Sequence, residues 1–200
     1  MKHLLFFILC FSMNSYAASD LIAINIALPP EQLLEAVAKK MNASTKKFHF
    51  DDTHFPHVTL VQGFVKKDDL PKIQKVVSEL SLPKIELTSS KLEEKDGLMN
   101  LKFHNNPEVQ RLHDKAVSGI KEYLQKSGDK DAFYEPSSVR KEDVDYAKNF
   151  VPEKSGGKYS PHMTMGVGTA KSAADKEVTY TFKNPQIFQI GEWGTARKKL

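Results

Sequence analysis

Two short stretches hold the residues with the clearest chemical capacity. The first is Pro56-His57-Val58-Thr59-Leu60-Val61-Gln62-Gly63 and the second is Pro161-His162-Met163-Thr164-Met165-Gly166-Val167-Gly168. Both read Pro-His-x-Thr-apolar-x-x-Gly, an internal repeat that bears on the whole fold. An apolar run bounded by proline and glycine predicts a buried strand, in which residues i and i+2 share a face. His57 and Thr59 therefore project together, and so do His162 and Thr164. An imidazole titrates near pH 6.5 when unperturbed, so one ring can take a proton from a nucleophile while the other gives one to a leaving oxygen. The two hydroxyls can hold non-bridging oxygens. Facing each other across a cleft, the two pairs suit attack on a phosphodiester.

The flanking pattern supplies elements to position them. Residues 21–28 alternate, with Ile22, Ile24, Ile26 and Leu28 on one face, and predict a strand. Pro29-Pro30 ends it and opens a helix near Glu31 with Leu33, Leu34, Val37, Ala38 and Met41 as its apolar stripe; residues 42–52 read as a loop. After the first motif, Asp68-Asp69 and Pro71 start a helix whose inner face is Ile73, Val76, Val77 and Leu80. Residues 85–91 and 98–103 form a strand pair around a turn at 93–97. Asn106-Pro107-Glu108 starts a helix running to about Lys126, with His113 off its apolar stripe and so assigned to solvent. Residues 127–160 read as a long irregular region broken by a short helix over 142–150, forming a rim or lid over the cleft. Tyr159, Lys158 and Arg140 are its candidates for meeting substrate; Tyr159 and Phe150 could equally anchor it to the core. Residues 170–176 form a loop, two strands follow over 178–182 and 185–190, and the tail with Trp193 and Arg197-Lys198-Lys199 reads as a solvated terminus.

The ends and the composition set limits. Lys2 precedes an apolar run over residues 4–13, and Ser15-Tyr16-Ala17 has the small residues of a signal-peptidase site. Residues 1–17 are thus expected to be an export signal and 18–200 one domain, periplasmic or secreted, with no stable membrane anchor after cleavage. The only cysteine, Cys10, lies inside the signal, so the mature chain forms no disulfide. Roughly 180 residues suffice for one core. Net charge is +4, and +3 once Lys2 is lost, which fits a small anionic substrate or an RNA end better than duplex DNA. His54 and His57 are close enough in sequence to suggest a metal pair, but no carboxylate or further histidine stands at ligand spacing, so no metal is assigned. Strands and helices alternate without a regular parallel pattern or a Gly-rich phosphate turn. The expected fold is α+β, with a mainly antiparallel sheet split into two lobes that share one cleft.

These residues resemble the 2H phosphoesterases, which include bacterial RNA 2′,3′-cyclic phosphodiesterases once described as 2′-5′ RNA ligases. The likeness rests on His57-Val58-Thr59-Leu60 and His162-Met163-Thr164-Met165, and on the opening strand Ile24-Asn25-Ile26-Ala27-Leu28 that runs into Pro29-Pro30. The resemblance implies a bilobal, pseudo-twofold α+β fold with helices packed outside antiparallel sheets, and no metal or other cofactor. It implies hydrolysis of cyclic phosphodiesters at nucleotides or RNA ends. Carried over, His57 and His162 are the acid/base pair, with His162 activating water and His57 protonating the leaving 3′ oxygen, and Thr59 and Thr164 bind phosphate. The partner is a small nucleotide or RNA end, not DNA, and the protein is expected to be a monomer. An export signal departs from enzymes of RNA processing inside cells and points instead to nucleotides released from degraded RNA. Two other readings stand beside it: a non-catalytic nucleotide or RNA-end binding module on the same fold, and an envelope protein whose His-Thr pairs are packing residues.

Overall fold

The isoleucine alternation near the N-terminus forms a strand over Ser19–Ala27 (β1), but both of its faces are buried. The reason is its place inside a sheet covered on each side, which a half-exposed strand would not need. In this computed structural model the described residues are 19–29, 32, 41–42, 53–95, 97–167, 169–170 and 177–200. The predicted export signal, the body of the helix expected after Pro30 and most of the loop over 42–52 lie outside them.

β1 pairs antiparallel with His57–Lys66 (β3) on one side and Gln186–Ile190 (β10) on the other. Ala196–Lys199 (β11) adds to β10 and Leu124–Gln125 (β6) to β3, completing a five-stranded sheet in the order β11-β10-β1-β3-β6. A second sheet, in the order β7-β5-β4-β9, consists of His162–Val167 (β7), Leu98–Phe103 (β5), Ile85–Lys95 (β4) and Thr179–Phe182 (β9). Met41–Asn42 (β2) and Thr169–Ala170 (β8) form a separate two-stranded ladder. All these pairs are antiparallel, and the two lobes have the same plan: a His-x-Thr strand at β3 or β7, then β1 or β5, then β10 or β4.

Three α-helices lie among the described residues. Leu70–Ser78 (α1) and Pro107–Ile120 (α2) pack on each other, and α2 lies on β3. Asn106 caps α2 by accepting from the backbone N–H groups of Glu108 and Val109, and Pro107 follows in the first turn, where a missing N–H costs nothing. Lys141–Lys154 (α3) also packs on β3. One apolar core joins both lobes: Ile22, Ile24, Val58 and Val61 from the first sheet meet Leu87, Met99, Leu101 and Met163 from the second. A smaller cluster, including Leu21, Phe64, Phe133 and Phe188, covers the other side of the five-stranded sheet.

Several local expectations need correction. β4 extends to Lys95 and β5 begins at Leu98, which shortens the turn expected over 93–97; Gly97 takes a left-handed φ of 77°. α2 stops at Ile120, because Leu124 and Gln125 leave it to pair with β3. Residues 127–160 are largely ordered, and α3 runs past Phe150 through Pro152 to Lys154. The C-terminal tail is not a solvated end. Its main chain completes the sheet as β11, and Arg197 is buried, donating to the Thr53 carbonyl (2.8 Å) and to Glu135 (3.2 Å). A cationic run read from composition alone hides this, since Lys198 and Lys199 are exposed while Arg197 is not.

Candidate active site

His57 and Thr59 open β3 on the face opposite Val58, which enters the shared core. His162 and Thr164 do the same on β7 opposite Met163. The strands β3 and β7 lie against each other, and a charge on His162 is felt at His57. The structure thus brings the two histidines into one neighbourhood.

The two copies match in detail. The Nδ1–H of His57 donates to the Phe55 carbonyl at 2.7 Å, and that of His162 to the Ser160 carbonyl at 2.9 Å, in each case two residues upstream. This bond fixes the tautomer and leaves the lone pair of the neutral ring on Nε2. Each strand also carries one extra residue directly after its threonine. Opposite β1 the register steps from Thr59 to Val61, and opposite β5 from Thr164 to Gly166, so Leu60 and Met165 are β-bulges. Both bulged side chains are buried in the core. Directly opposite each threonine stands an asparagine: Asn25 on β1 faces Thr59, and Asn100 on β5 faces Thr164.

The environments are less alike than the scaffold. His57 retains some solvent exposure, but the protein packed around its ring lowers its pKa to about 4; the Phe55 carbonyl opposes that shift, the His162 charge adds to it, and the Gly194 backbone opposes it. His162 is also lowered, chiefly by burial, against the Ser160 carbonyl; Lys102 and Lys154 depress it further and Glu93 offsets them. Lys102 stands directly across from His162 on β5, with Glu93 at 3.7 Å, whereas the residue across from His57 is Ala27. Burial lowers the Lys102 ammonium too. Among the described residues no group of three or more histidines, cysteines, aspartates or glutamates could hold a metal ion.

Comparison with known proteins gives this geometry its context. The sequence profile of the 2′-5′ RNA ligase superfamily matches residues 29–197, most of the chain and both motifs. The chain belongs to the 2′-5′ RNA ligase superfamily. Solved structures of similar fold include E. coli LigT complexed with NADP+ (TM-score 0.53, 12% identity, 92% of this chain and 96% of that one). E. coli LigT complexed with phosphate is similar at TM-score 0.50 and 14% identity over 91% and 94% of the two chains. A structure described as a phosphoesterase gives TM-score 0.51 and 12% identity over 92% and 96%. At this identity the likeness shows the fold alone. No individual curated protein sequence matches the chain. Superfamily membership places the function in the class of 2′-5′ RNA ligase-like activities.

Within this superfamily member, the three residues expected at a substrate rim are placed differently. Lys158 is exposed and donates to the Pro152 carbonyl at 3.3 Å. Arg140 pairs with buried Asp143 through two bonds (3.1 and 2.6 Å), and its guanidinium lies 3.2 Å from the centroid of the Trp193 ring. Asp143 also accepts from the Trp193 N–H at 3.2 Å, holding the turn that sets Gly194 beside His57. Trp193 is left-handed there (φ 59°), an uncommon conformation for a residue with a side chain. Arg140 thus acts on the neighbourhood of His57 through Trp193. Tyr159 is buried rather than at a rim: its hydroxyl donates to the Thr59 carbonyl at 3.1 Å.

His113, assigned to solvent from its helical position, is fully buried. Its Nδ1–H donates to the carbonyl of the bulged Leu60 at 2.5 Å, its Nε2 accepts from the Gly156 N–H at 3.3 Å, and its ring stacks on Tyr159 at 4.0 Å. The stripe argument misses it because the helix packs against polar main chain at that point, not only against side chains. Asn25, Asn100 and Lys102 lie outside the two motifs. The sequence marks the asparagines only as a polar residue inside an apolar strand, in Ile24-Asn25-Ile26 and Met99-Asn100-Leu101, and does not mark Lys102.

His113→Phe retains a ring on Tyr159 but leaves the Leu60 carbonyl and the Gly156 N–H without their partner. It is expected to destabilise the protein by about 2 kcal/mol or more, read as a lower urea midpoint at unchanged slope, and Tyr159→Phe by about 1 kcal/mol.

Proposed function

We propose that the protein hydrolyses cyclic phosphodiesters, nucleoside or RNA-end 2′,3′-cyclic phosphates, by acid/base catalysis between its two histidines and without a metal. The observation that carries this reading is the duplicated arrangement: two imidazoles tethered alike at Nδ1, each on a strand with its threonine, on adjoining strands of the two lobes. His162 takes a proton from water, whose oxygen bonds to phosphorus. The bond to the 3′ oxygen breaks, His57 protonates that oxygen, and the product is a 2′-monophosphate. Thr59 and Thr164 hold the non-bridging oxygens. The roles follow from the resemblance. Burial, with Lys102 and Lys154 adding to it, favours a neutral His162 before substrate arrives. Burial and the His162 charge favour a neutral His57 as well, so its protonation as the acid depends on the arriving anion.

His57→Ala and His162→Ala are each expected to cost at least about a hundredfold in turnover of nucleoside 2′,3′-cyclic monophosphates, with EDTA without effect. Full activity in either variant overturns the mechanism, and micromolar binding of nucleotide without turnover by the wild type would leave a binding module.

Because both imidazoles titrate below 6.5 in the free protein, His57 near 4, the form with one ring charged and one neutral disappears as pH rises past 6.5. The expected kcat/KM profile is a bell with its maximum below pH 6.5. A plateau extending to pH 8 would contradict it.

We also infer export. Residues 1–17 have the pattern of a cleaved signal, so N-terminal sequencing of the mature protein should begin at Ala18; recovery of intact Met1 from the cell interior would refute this.

A further inference from the structure

We propose that Asn25 and Asn100 position the hydroxyls of Thr59 and Thr164 toward an anionic oxygen, so that each lobe supplies a three-residue anion-binding unit, an asparagine with its His-x-Thr. This rests on the reading of the two threonines as phosphate ligands. Residues directly opposite in an antiparallel ladder point to the same face with Cβ atoms about 5 Å apart. Asn25 therefore lies beside Thr59 on the face that carries His57, and Asn100 beside Thr164 on the face that carries His162. The placement recurs in both lobes and, in both, immediately precedes the bulge.

The state of the two amides differs in a way that identifies their task. Asn25 is wholly buried, and neither its Nδ2 nor its Oδ1 has a hydrogen-bond partner among the described residues. A buried amide without partners destabilises a fold, so a packing role does not explain it. Asn100 shows what the pair can do: Thr164 donates its hydroxyl proton to Asn100 Oδ1 at 2.9 Å, and Asn100 Nδ2 reaches the Leu98 carbonyl at 3.5 Å.

A threonine hydroxyl has one proton, and an anionic phosphate oxygen can only accept it. A donor behind the hydroxyl oxygen engages a lone pair and turns the proton outward. The unpartnered Asn25 NH2 group, directly across the ladder, is placed to become that donor for Thr59. In the other lobe the amide accepts instead, and turning it over would give Thr164 the same support while releasing its proton to the ligand. An asparagine serves both states because it carries a donor and an acceptor on one planar group.

The test uses the mature protein, inorganic phosphate as probe, and calorimetric affinity beside thermal melting. Asn25→Ala and Asn100→Ala are each expected to weaken phosphate binding about tenfold, and that factor should vanish when measured within Thr59→Ala and Thr164→Ala respectively. Asn25→Ala should melt no lower than wild type. Asn25→Asp, isosteric but only an acceptor and an anion, should bind phosphate more weakly than Asn25→Ala. Unchanged affinity in Asn25→Ala, the same factor in the Thr59→Ala background, a lower melting temperature for Asn25→Ala, or no phosphate binding by wild type would each overturn the proposal. If wild type binds phosphate with this dependence yet turns over no cyclic phosphodiester, the catalytic reading fails while this one stands.

Discussion

A strand that places two consecutive residues in one core, after a histidine and a threonine that face away from it, needs one residue more than its partner. That constraint governs this molecule. In β3, Leu60 and Val61 are consecutive and both enter the shared apolar core, while His57 and Thr59 before them and Phe64 after them lie on the other face. Strict alternation cannot give this, because the side-chain period of a strand is 2. The extra residue at Leu60 shifts the parity, and the same device recurs at Met165 in β7, followed by Gly166 at a φ of 137°. Bulges re-aim side chains at the cost of interrupting the ladder, so the backbone groups they release must find partners elsewhere.

In the first lobe those partners come from the second half of the chain. The Thr59 carbonyl accepts from Tyr159 and the Leu60 carbonyl from His113. Tyr159 lies three residues before His162, and His113 also holds the Gly156 N–H at the start of the turn that leads into the second motif. Satisfying the first bulge therefore positions the approach to the second motif. The stacked pair His113 and Tyr159 links the two motifs through main-chain hydrogen bonds, where a purely apolar contact would leave two carbonyls unpaired. Such a link ties the geometry of one half-site to that of the other.

The parts of this arrangement that could be read from the sequence follow simple periodicities. The His-x-Thr repeat, the strand at Ile22-Ile24-Ile26 and the capped start at Asn106-Pro107 all state their structure locally, and the α+β architecture in two lobes follows from their order. What escaped depends on partners distant in sequence. Asn25 alternates with the isoleucines of β1, but both faces of that strand are covered, so its burial is a property of the sheet. His113 follows the same logic, since its partners are main-chain groups of Leu60 and Gly156. The bulges were hidden because Leu60-Val61 reads as an unbroken apolar run, which fits a buried strand with or without an added residue. Arg197 escaped because a Lys/Arg run looks solvated until one member is found bonded to Thr53 and Glu135.

The duplicated scaffold also raises a chemical requirement. Acid/base catalysis needs one ring to take up a proton while its partner gives one up, and a symmetric coupled pair, though it loses its two protons in separate steps, does not fix which ring does which. The symmetry must therefore be broken by what surrounds the motifs, and the break lies on the neighbouring strands. At matching ladder positions, Ala27 stands across from His57 and Lys102 across from His162. Beyond Lys102, β4 adds Glu93, which bonds Lys91 at 2.8 Å as well as facing Lys102. Around His57 the contributions beyond burial come from the Phe55 backbone, the charge of His162, and the backbone of Gly194 on a turn held by Asp143. Burial is the largest influence on both rings; beyond it, His162 feels the side-chain charges of Lys102, Glu93 and Lys154, which salt screens, while His57 feels two backbone groups and the charge of His162 itself. The repeat supplies the shared geometry, and these unlike second neighbours supply the difference between the two histidines.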